Sequence, residues 1–411
     1  MNPPAVSRSI YRHRGFLALW SAVTVSGIGS QVTAVALPLT AMLTLHADAL
    51  QLGTLAMVQT LPVLFVTPVA GVVVDRFPVK LINALCDVVR GVLLLAVPVL
   101  AALDGLSLLR LYVLGLLVGC FKALADVAHH SILPQVIEEH RLVAGNAAIN
   151  TSYSVTDVAG PGLGGVLTQL LSAPQALIAD SVSFFLSAGL IASLRVRPVE
   201  RAPRQRWSTM AREGFGYLFG QQGLLTLALC SGVANLFLQA YSTVLVIFVV
   251  RSLGLPSSVL GAVYACGALG GVAGSALAER IGRVTRPTTA MMGGLLGTGL
   301  GMAGLATADL VAAPWARIAI LIAGTAAYTA GLGVYNVHAM STRQKLVQRD
   351  MLGRVTASYR LLSHGALPVG SLLGGLGAQR LGAPGAVALS GAGVVAWVGV
   401  LLLTPFRRLP Q

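Results

Sequence analysis

Apolar runs of about 20 residues recur along the whole chain, and they limit its possible folds more than any other feature. A run of that length crosses a hydrocarbon layer of ~30 Å as one helix. Backbone in lipid must satisfy its own N–H and C=O groups, so the spans are read as helices. Twelve are predicted, at 16–43, 50–73, 80–102, 109–131, 143–169, 175–194, 224–249, 258–278, 287–307, 316–340, 354–378 and 384–405. With 55% hydrophobic and only 10% charged residues among 411, a soluble fold has too little interior for this sequence. The 47 glycines suit close helix contacts in a membrane bundle.

A net charge of +14 raises the question of a nucleic-acid partner, and its distribution answers no. With both termini on the cytoplasmic side, 21 of the 28 Lys and Arg fall in inner segments. They are Arg8, Arg12, Arg14, Arg76, Lys80, Arg141, six arginines from Arg195 to Arg212, Arg280, Arg283, Arg286, Arg343, Lys345, Arg349, Arg354, Arg407 and Arg408. Only Arg110, Arg251, Arg317 and Arg380 fall outside, and Arg90, Lys122 and Arg360 lie within spans. Such an asymmetry is an orientation signal. Cys86, Cys120, Cys230 and Cys266 all lie in apolar spans without metal-ligand spacing, so no metal site is expected. The stretch from Met1 to Gly15 runs into the first span without a small-residue cleavage site, so no removable signal peptide is read.

The spans divide six and six around a charged linker. The expected division is residues 1–194, a linker at 195–223 in which Trp207 to Leu218 forms an interfacial amphipathic helix, and residues 224–411. Two echoes join the halves. Gly71-Val-Val-Val-Asp75-Arg76-Phe-Pro-Val-Lys80, read as a tight charged turn, returns 204 positions later as Ser275-Ala-Leu-Ala-Glu279-Arg280-Ile-Gly-Arg283. Pro161-Gly-Leu-Gly164-Gly165 returns at Pro368 with Gly374-Gly375, the prolines 207 apart. Two echoes at nearly one offset argue for internal duplication.

With the hairpin and Gly160-Pro161-x-x-Gly164-Gly165, the sequence resembles the major facilitator superfamily. Further stretches resemble its bacterial drug-exporter branch, which contains macrolide-efflux proteins and enterobactin exporters. They are Gly29-Ser-Gln31-Val-Thr-Ala-Val-Ala-Leu-Pro38, Ser131-Ile-Leu-Pro134, Gly145-Asn146-Ala, Asp180-Ser-Val-Ser-Phe184 and Gly353-Arg354-Val-Thr-Ala-Ser358. The resemblance implies two pseudo-symmetric six-helix bundles rocking about a central cavity, lined by helices one, four, seven and ten. It implies gating by Gly71, Asp75, Arg76 and Lys80, with Glu279 and Arg280 as counterparts and Arg354 as a partner for Asp75. Pro78 departs from the family's hairpin, which has a glycine there and a second basic residue. A topogenic loop without gating is the alternative.

Asp87, Asp126, Asp157 and Asp180 lie inside spans, where each acid costs about 2.5–3.5 kcal/mol at a helix centre. Asp87 stands three residues before Arg90, and Lys122 four before Asp126, so each pair shares a helix face and reads as a structural ion pair. Asp180, near the end of a peripheral span, also reads as structural. Asp157 has no local cation, and under the 207 offset its counterpart is His364, as Arg360 is that of Tyr153. An acid and a titratable imidazole at equivalent positions make Asp157 and His364 candidate proton sites, with Asp126 beside them. Gly160, Pro161, Gly164 and Gly165 are expected to bend or tighten helix five. Gln31, Asn235, Gln239, Tyr328, Tyr335 and Asn336 are the cavity candidates, with Ser26, Thr33, Tyr112 and Tyr241 behind them. Polar groups scattered over apolar walls suit a bulky amphipathic ligand, although each alone is also an ordinary packing residue. His129 and His130, without a spaced partner, read as interfacial.

No phosphate-binding loop or nucleophile constellation occurs, so neither an enzyme nor a cofactor is expected. The expected activity is proton-driven export of a small amphipathic compound, such as an antibiotic or siderophore, from a monomer in the bacterial cytoplasmic membrane. The partners are substrate, protons and lipid. An importer or uniporter, or a sensor that has lost transport, are the competing readings.

Overall fold

The structure, a computed structural model, describes residue 10 and residues 13–196, 207–348 and 351–403. Arg8, Arg12, Arg197, Arg201, Arg204, Arg206, Arg349, Arg407 and Arg408 of the basic set lie outside the described residues. The described residues form helices α1 (Arg14–Leu39), α2 (Ala49–Thr60), α3 (Pro62–Arg76), α4 (Val79–Ala102), α5 (Leu108–Val136), α6 (Leu142–Leu171) and α7 (Ala173–Ala192). After the linker come α8 (Trp207–Gly220), α9 (Gln222–Val246), α10 (Ser257–Val284), α11 (Pro287–Leu305), α12 (Pro314–Leu346), α13 (Leu352–His364) and α14 (Leu367–Leu403). Short π turns extend α1 to Thr44 and α9 to Ser252.

Local chemistry sets the helix starts. Asp48 and Gln51 exchange side-chain and backbone bonds in a capping box that opens α2. Proline at the first turn opens α3, α11 and α12, where its missing N–H costs nothing. Within α14, Gly382 has φ +73°, a left-handed conformation that divides the run from Leu352 to Leu403 into two spans. Ten described helices are long and apolar enough to cross a membrane. Dividing that 52-residue run at Gly382 and adding the more polar α6 gives twelve, as the apolar runs predict. Helices α5, α10 and α12 run about a turn past their expected ends, and α10 and α12 thereby carry Arg280, Arg283, Arg343 and Lys345 out of the apolar zone.

Two bundles result. In the first, α1 packs on α6 and α7, and α4 on α5 and α7. In the second, α12 packs on α10 and α11, and α9 on α14. Across the divide α2 meets α14, and α6 meets α10. These contacts are tightest away from the charged turns. A Cβ on Gly375 would lie 2.8 Å from Gly53 Cα, and one on Gly165 would lie 3.1 Å from Gly261 Cα. The cross-bundle hydrogen bonds among the described residues, Arg251 to Ala47 O at 3.0 Å and Ser257 to Gly165 O at 3.3 Å, lie at the same end. We call it the far face, and the end carrying the turn at Phe77-Pro78 the basic face.

The glycine seals correct the register of the internal repeat. Residues 49–76 and 257–284 correspond at an offset of 208, which pairs Gly53 with Gly261. Residues 142–171 and 352–381 correspond at 210, which pairs Gly165 with Gly375. The charged echo is therefore one helical turn out of step, and Asp75 corresponds to Arg283 rather than Glu279. Likewise His364 corresponds to Ser154, and Arg360 to Asn150, not to Asp157 and Tyr153. Small and charged residues recur turn by turn near helix ends, so a short match cannot separate adjacent turns. The expected tight turn is also smaller than read. Asp75 and Arg76 belong to the last turn of α3, and only Phe77 and Pro78 leave the helix. Glu279 to Arg283 is helical within α10, with its turn at Thr285 and Arg286.

Candidate functional site

Helix α6 carries a polar stripe. Asn146, Asn150, Ser154 and Asp157 follow at helical spacing, and all are exposed. Polar side chains along a membrane helix belong on a wall that meets water, not lipid. Asp157 stands 15 residues into α6, about 22 Å from its start and near mid-depth. Gln31 Nε2 of α1 donates to Asp157 Oδ1 at 2.5 Å, and no cation pairs with Asp157 among the described residues. Gly160 makes that bond possible, because a Cβ there would overlap the Gln31 side chain. Gly164 similarly admits Val32 of α1, while Pro161 O and Gly165 face Gly261 on α10. The motif thus packs α6 against both α1 and the opposite bundle.

The matching face of the second bundle holds Arg360, exposed and unpaired among the described residues, and His364, whose Nδ1 lies 3.1 Å from Ser363 Oγ. At the 210 offset they correspond to Asn150 and Ser154 of the stripe. One wall is therefore acidic at Asp157 and the other basic. Near the basic face, Leu19, Val23, His129, Asn146, Asn150 and Tyr153 help to line a cavity of about 210 Å³.

The other cavity candidates scatter. Asn235 donates to Ser363 O at 3.0 Å, and Gln239 packs against Gly370, both inside the second bundle. Tyr335 is buried with its hydroxyl 2.6 Å from Ser231 Oγ, and Tyr328 packs edge-on against buried Tyr241 at 5.1 Å. Asn336 is exposed. Ser26 bonds its own helix at Ala22 O, Tyr112 reaches Gln51 O at 3.1 Å, and Thr33 turns to Asp180 at 2.5 Å. Asn150 and Ser154 were not singled out from the sequence, and Asn146 was named there only as part of the family resemblance. Their signal is there, as polar positions four residues apart, but uncharged side chains do not stand out in a long span.

At the basic face no other helix among the described residues comes within 4 Å of where a Gly71 Cβ would be, and Asp75 and Arg76 are exposed. Asp75 has no hydrogen-bonded or ionic partner among the described residues. Arg354 instead pairs with Glu213 of α8 at 2.6 Å. Lys80 donates to Leu194 O at 2.8 Å, tying α4 to the end of α7. Glu279 pairs with Arg283 at 2.7 Å, and Arg280 is exposed.

Of the two expected local pairs, Lys122 and Asp126 form theirs at 2.9 Å, with both side chains more than half exposed. Asp87 and Arg90 do not. The Arg90 guanidinium lies 3.9 Å from the Phe184 ring centroid and donates to Ser30 Oγ at 3.3 Å. Asp87 accepts from Ser187 Oγ at 2.6 Å. Helical spacing placed both on one face, but groups from α1 and α7 outcompete the local pair. Asp180 is fully buried and accepts from Thr33 and Ser183.

Residues 19–371 match the family model described as Major Facilitator Superfamily. The multidrug efflux pump Tap of Mycolicibacterium fortuitum is 26% identical over 369 residues, covering 87% of this chain and 88% of that protein. The enterobactin exporter EntS of Citrobacter koseri is 25% identical over 407 residues, covering 97% and 94%. The crystal structure of the nucleoside transporter NupG superposes with a TM-score of 0.76 at 12% identity, covering 95% of this chain and 98% of that one.

Proposed function

Because the chain belongs to the Major Facilitator Superfamily, we propose that this multi-pass membrane transporter exports a small amphipathic compound of the antibiotic or siderophore class in exchange for protons. The observation that carries this reading is Asp157, an acid near mid-depth on an exposed polar stripe, held by Gln31 and, among the described residues, by no cation. A group so placed exchanges a proton with the cavity at little structural cost. Arg360 and His364 on the facing wall suit a substrate with a polar or anionic end, and apolar neighbours suit its remainder. Two relatives named as exporters support the direction.

We place the basic face, with both termini, in the cytoplasm of a bacterial inner membrane, because the positive residues concentrate there. The glycine seals then close the outside, and the stripe opens inward, the arrangement in which an exporter loads. Residues 1–194 and 224–411 would rock as bodies joined by 195–223. Asp75, Arg76 and Lys80, with Glu279, Arg280 and Arg354, would make their cross-bundle contacts when the basic face closes. Such contacts bias the equilibrium because they exist in only one state. One proton moving through ~100 mV supplies about 2.3 kcal/mol, roughly a fortyfold gradient.

Everted vesicles assayed over a compound panel test the reading. Accumulation should require a proton gradient and vanish in Asp157→Asn with protein levels unchanged. Normal pumping by Asp157→Asn removes Asp157 as the coupling acid, and accumulation that survives collapse of the gradient removes proton antiport.

A further inference from the structure

Away from the cavity, α1, α4 and α7 enclose two acids and one base. Asp87 is 1% exposed, Asp180 0% and Arg90 8%. With both acids ionised the cluster carries one uncompensated negative charge, which an interior without water disfavours strongly. The two acids differ in their surroundings. Both oxygens of Asp180 face hydroxyls, Oδ2 accepting from Thr33 and Oδ1 sharing the Ser183 hydrogen with Asp180 O, surroundings that suit an ionised carboxylate. Gly29 permits this approach, since a Cβ there would overlap both Asp180 and Ser183. Asp87 Oδ2 accepts from Ser187, but Asp87 Oδ1 has no hydrogen-bond partner among the described residues. Asn83, one turn earlier on the same face, donates its amide to Val79 O and leaves its own buried Oδ1 without a partner. Two buried acceptors on one helix face lack a donor, and the cluster lacks one positive charge.

We propose that Asp87 holds a proton at this second site, where it supplies the donor missing at Asn83 and leaves Asp180 as the counter-charge of Arg90. The neutral Asp87 frees Arg90 to stand over Phe184 and donate to Ser30, so Arg90 acts as a positioning residue for α1. Ser30 is next to Gln31, which holds Asp157. Loss of the Asp87 proton would draw Arg90, whose Nε is also buried without a partner, toward Asp87 and away from α1. The other titratable groups around the site are Cys86 on α4 and, on α5, His129 and Asp126, the latter paired with Lys122, while Asp75 and Arg76 stand exposed at the end of α3. From α1 the site receives the Ser30 and Thr33 hydroxyls. His129, on the adjacent α5, bonds Ala125 O and lines the cavity at the basic face.

The link to transport rests on Asp157 being the coupling acid, but the proton on Asp87 does not, and its test uses no transport. Infrared spectra of the full-length protein in liposomes are recorded near neutral pH in an Asp157→Asn background, so that the cavity acid is silent. A protonated-carboxyl band should be present and should be lost on adding Asp87→Asn. Thermal melting of Asp87→Asn should match the wild type, because the amide mimics the neutral acid. Absence of the band before Asp87 is changed, its survival afterwards, or a lowered melting temperature or loss of folding in Asp87→Asn overturns the proposal, since each means that Asp87 is ionised or serves as a structural counter-charge.

Discussion

At the scale of single residues, the contact between Gln31 and Asp157 depends on what is missing at position 160. Gly160 lets the Gln31 side chain lie against α6 and reach Asp157, so Gly160→Val should push Gln31 away. Overpacking of this kind costs about 1–3 kcal/mol. The variant should melt lower than wild type and lose most gradient-driven transport in the vesicle assay. Gln31→Glu probes the same contact differently, by setting a second acid against Asp157, and should change the pH dependence of transport more than its maximal rate. Asp157 was legible in the sequence because a lone acid in an apolar span is conspicuous. The fate of Asp87 and Arg90 was not, because Ser30 lies 60 positions from Arg90 and Ser187 lies 100 from Asp87. Helical spacing reports which residues share a face and says nothing about what distant helices bring to it.

Among the elements, α8 and the last spans show how loops and turns are secured. Glu213 on α8 pairs with Arg354, and Tyr217 on α8 accepts from Gln348 N at 3.3 Å, so α8 clamps the start of α13. Glu213→Arg alone should lower transport and thermal stability, and the swap Glu213→Arg with Arg354→Glu should recover part of both. The left-handed turn at Gly382 offers a second check. Gly382→Ala should lower the melting temperature, since φ +73° with ψ 163° is a conformation open essentially to glycine, and a side chain there costs roughly 1–3 kcal/mol. The spans themselves were readable almost to their ends, because about 20 apolar residues leave little freedom of interpretation. Their extensions at the basic face were less so, since charged side chains end a hydropathy run without ending the helix.

Over the whole molecule, closure of the far face rests on two equivalent backbone contacts, Gly53 with Gly375 and Gly165 with Gly261. Gly53→Val or Gly261→Val should hold that face apart and shift the population toward the opposite opening. A cost of about 1–3 kcal/mol corresponds to roughly 5–150-fold in the equilibrium. Distances between spin labels placed across the far face should lengthen, and those across the basic face should shorten. The duplication was visible in the sequence, whereas its register emerged only from these contacts. The seals also bear on speed. Interlocked side chains must change rotamer before helices part, and each such change adds to a barrier. Here backbone rests on backbone, and the side-chain hydrogen bonds that cross at that end among the described residues are those of Arg251 and Ser257. Parting the far face then asks for the release of two hydrogen bonds and a slide of helix on helix, rather than the unpicking of a side-chain zipper.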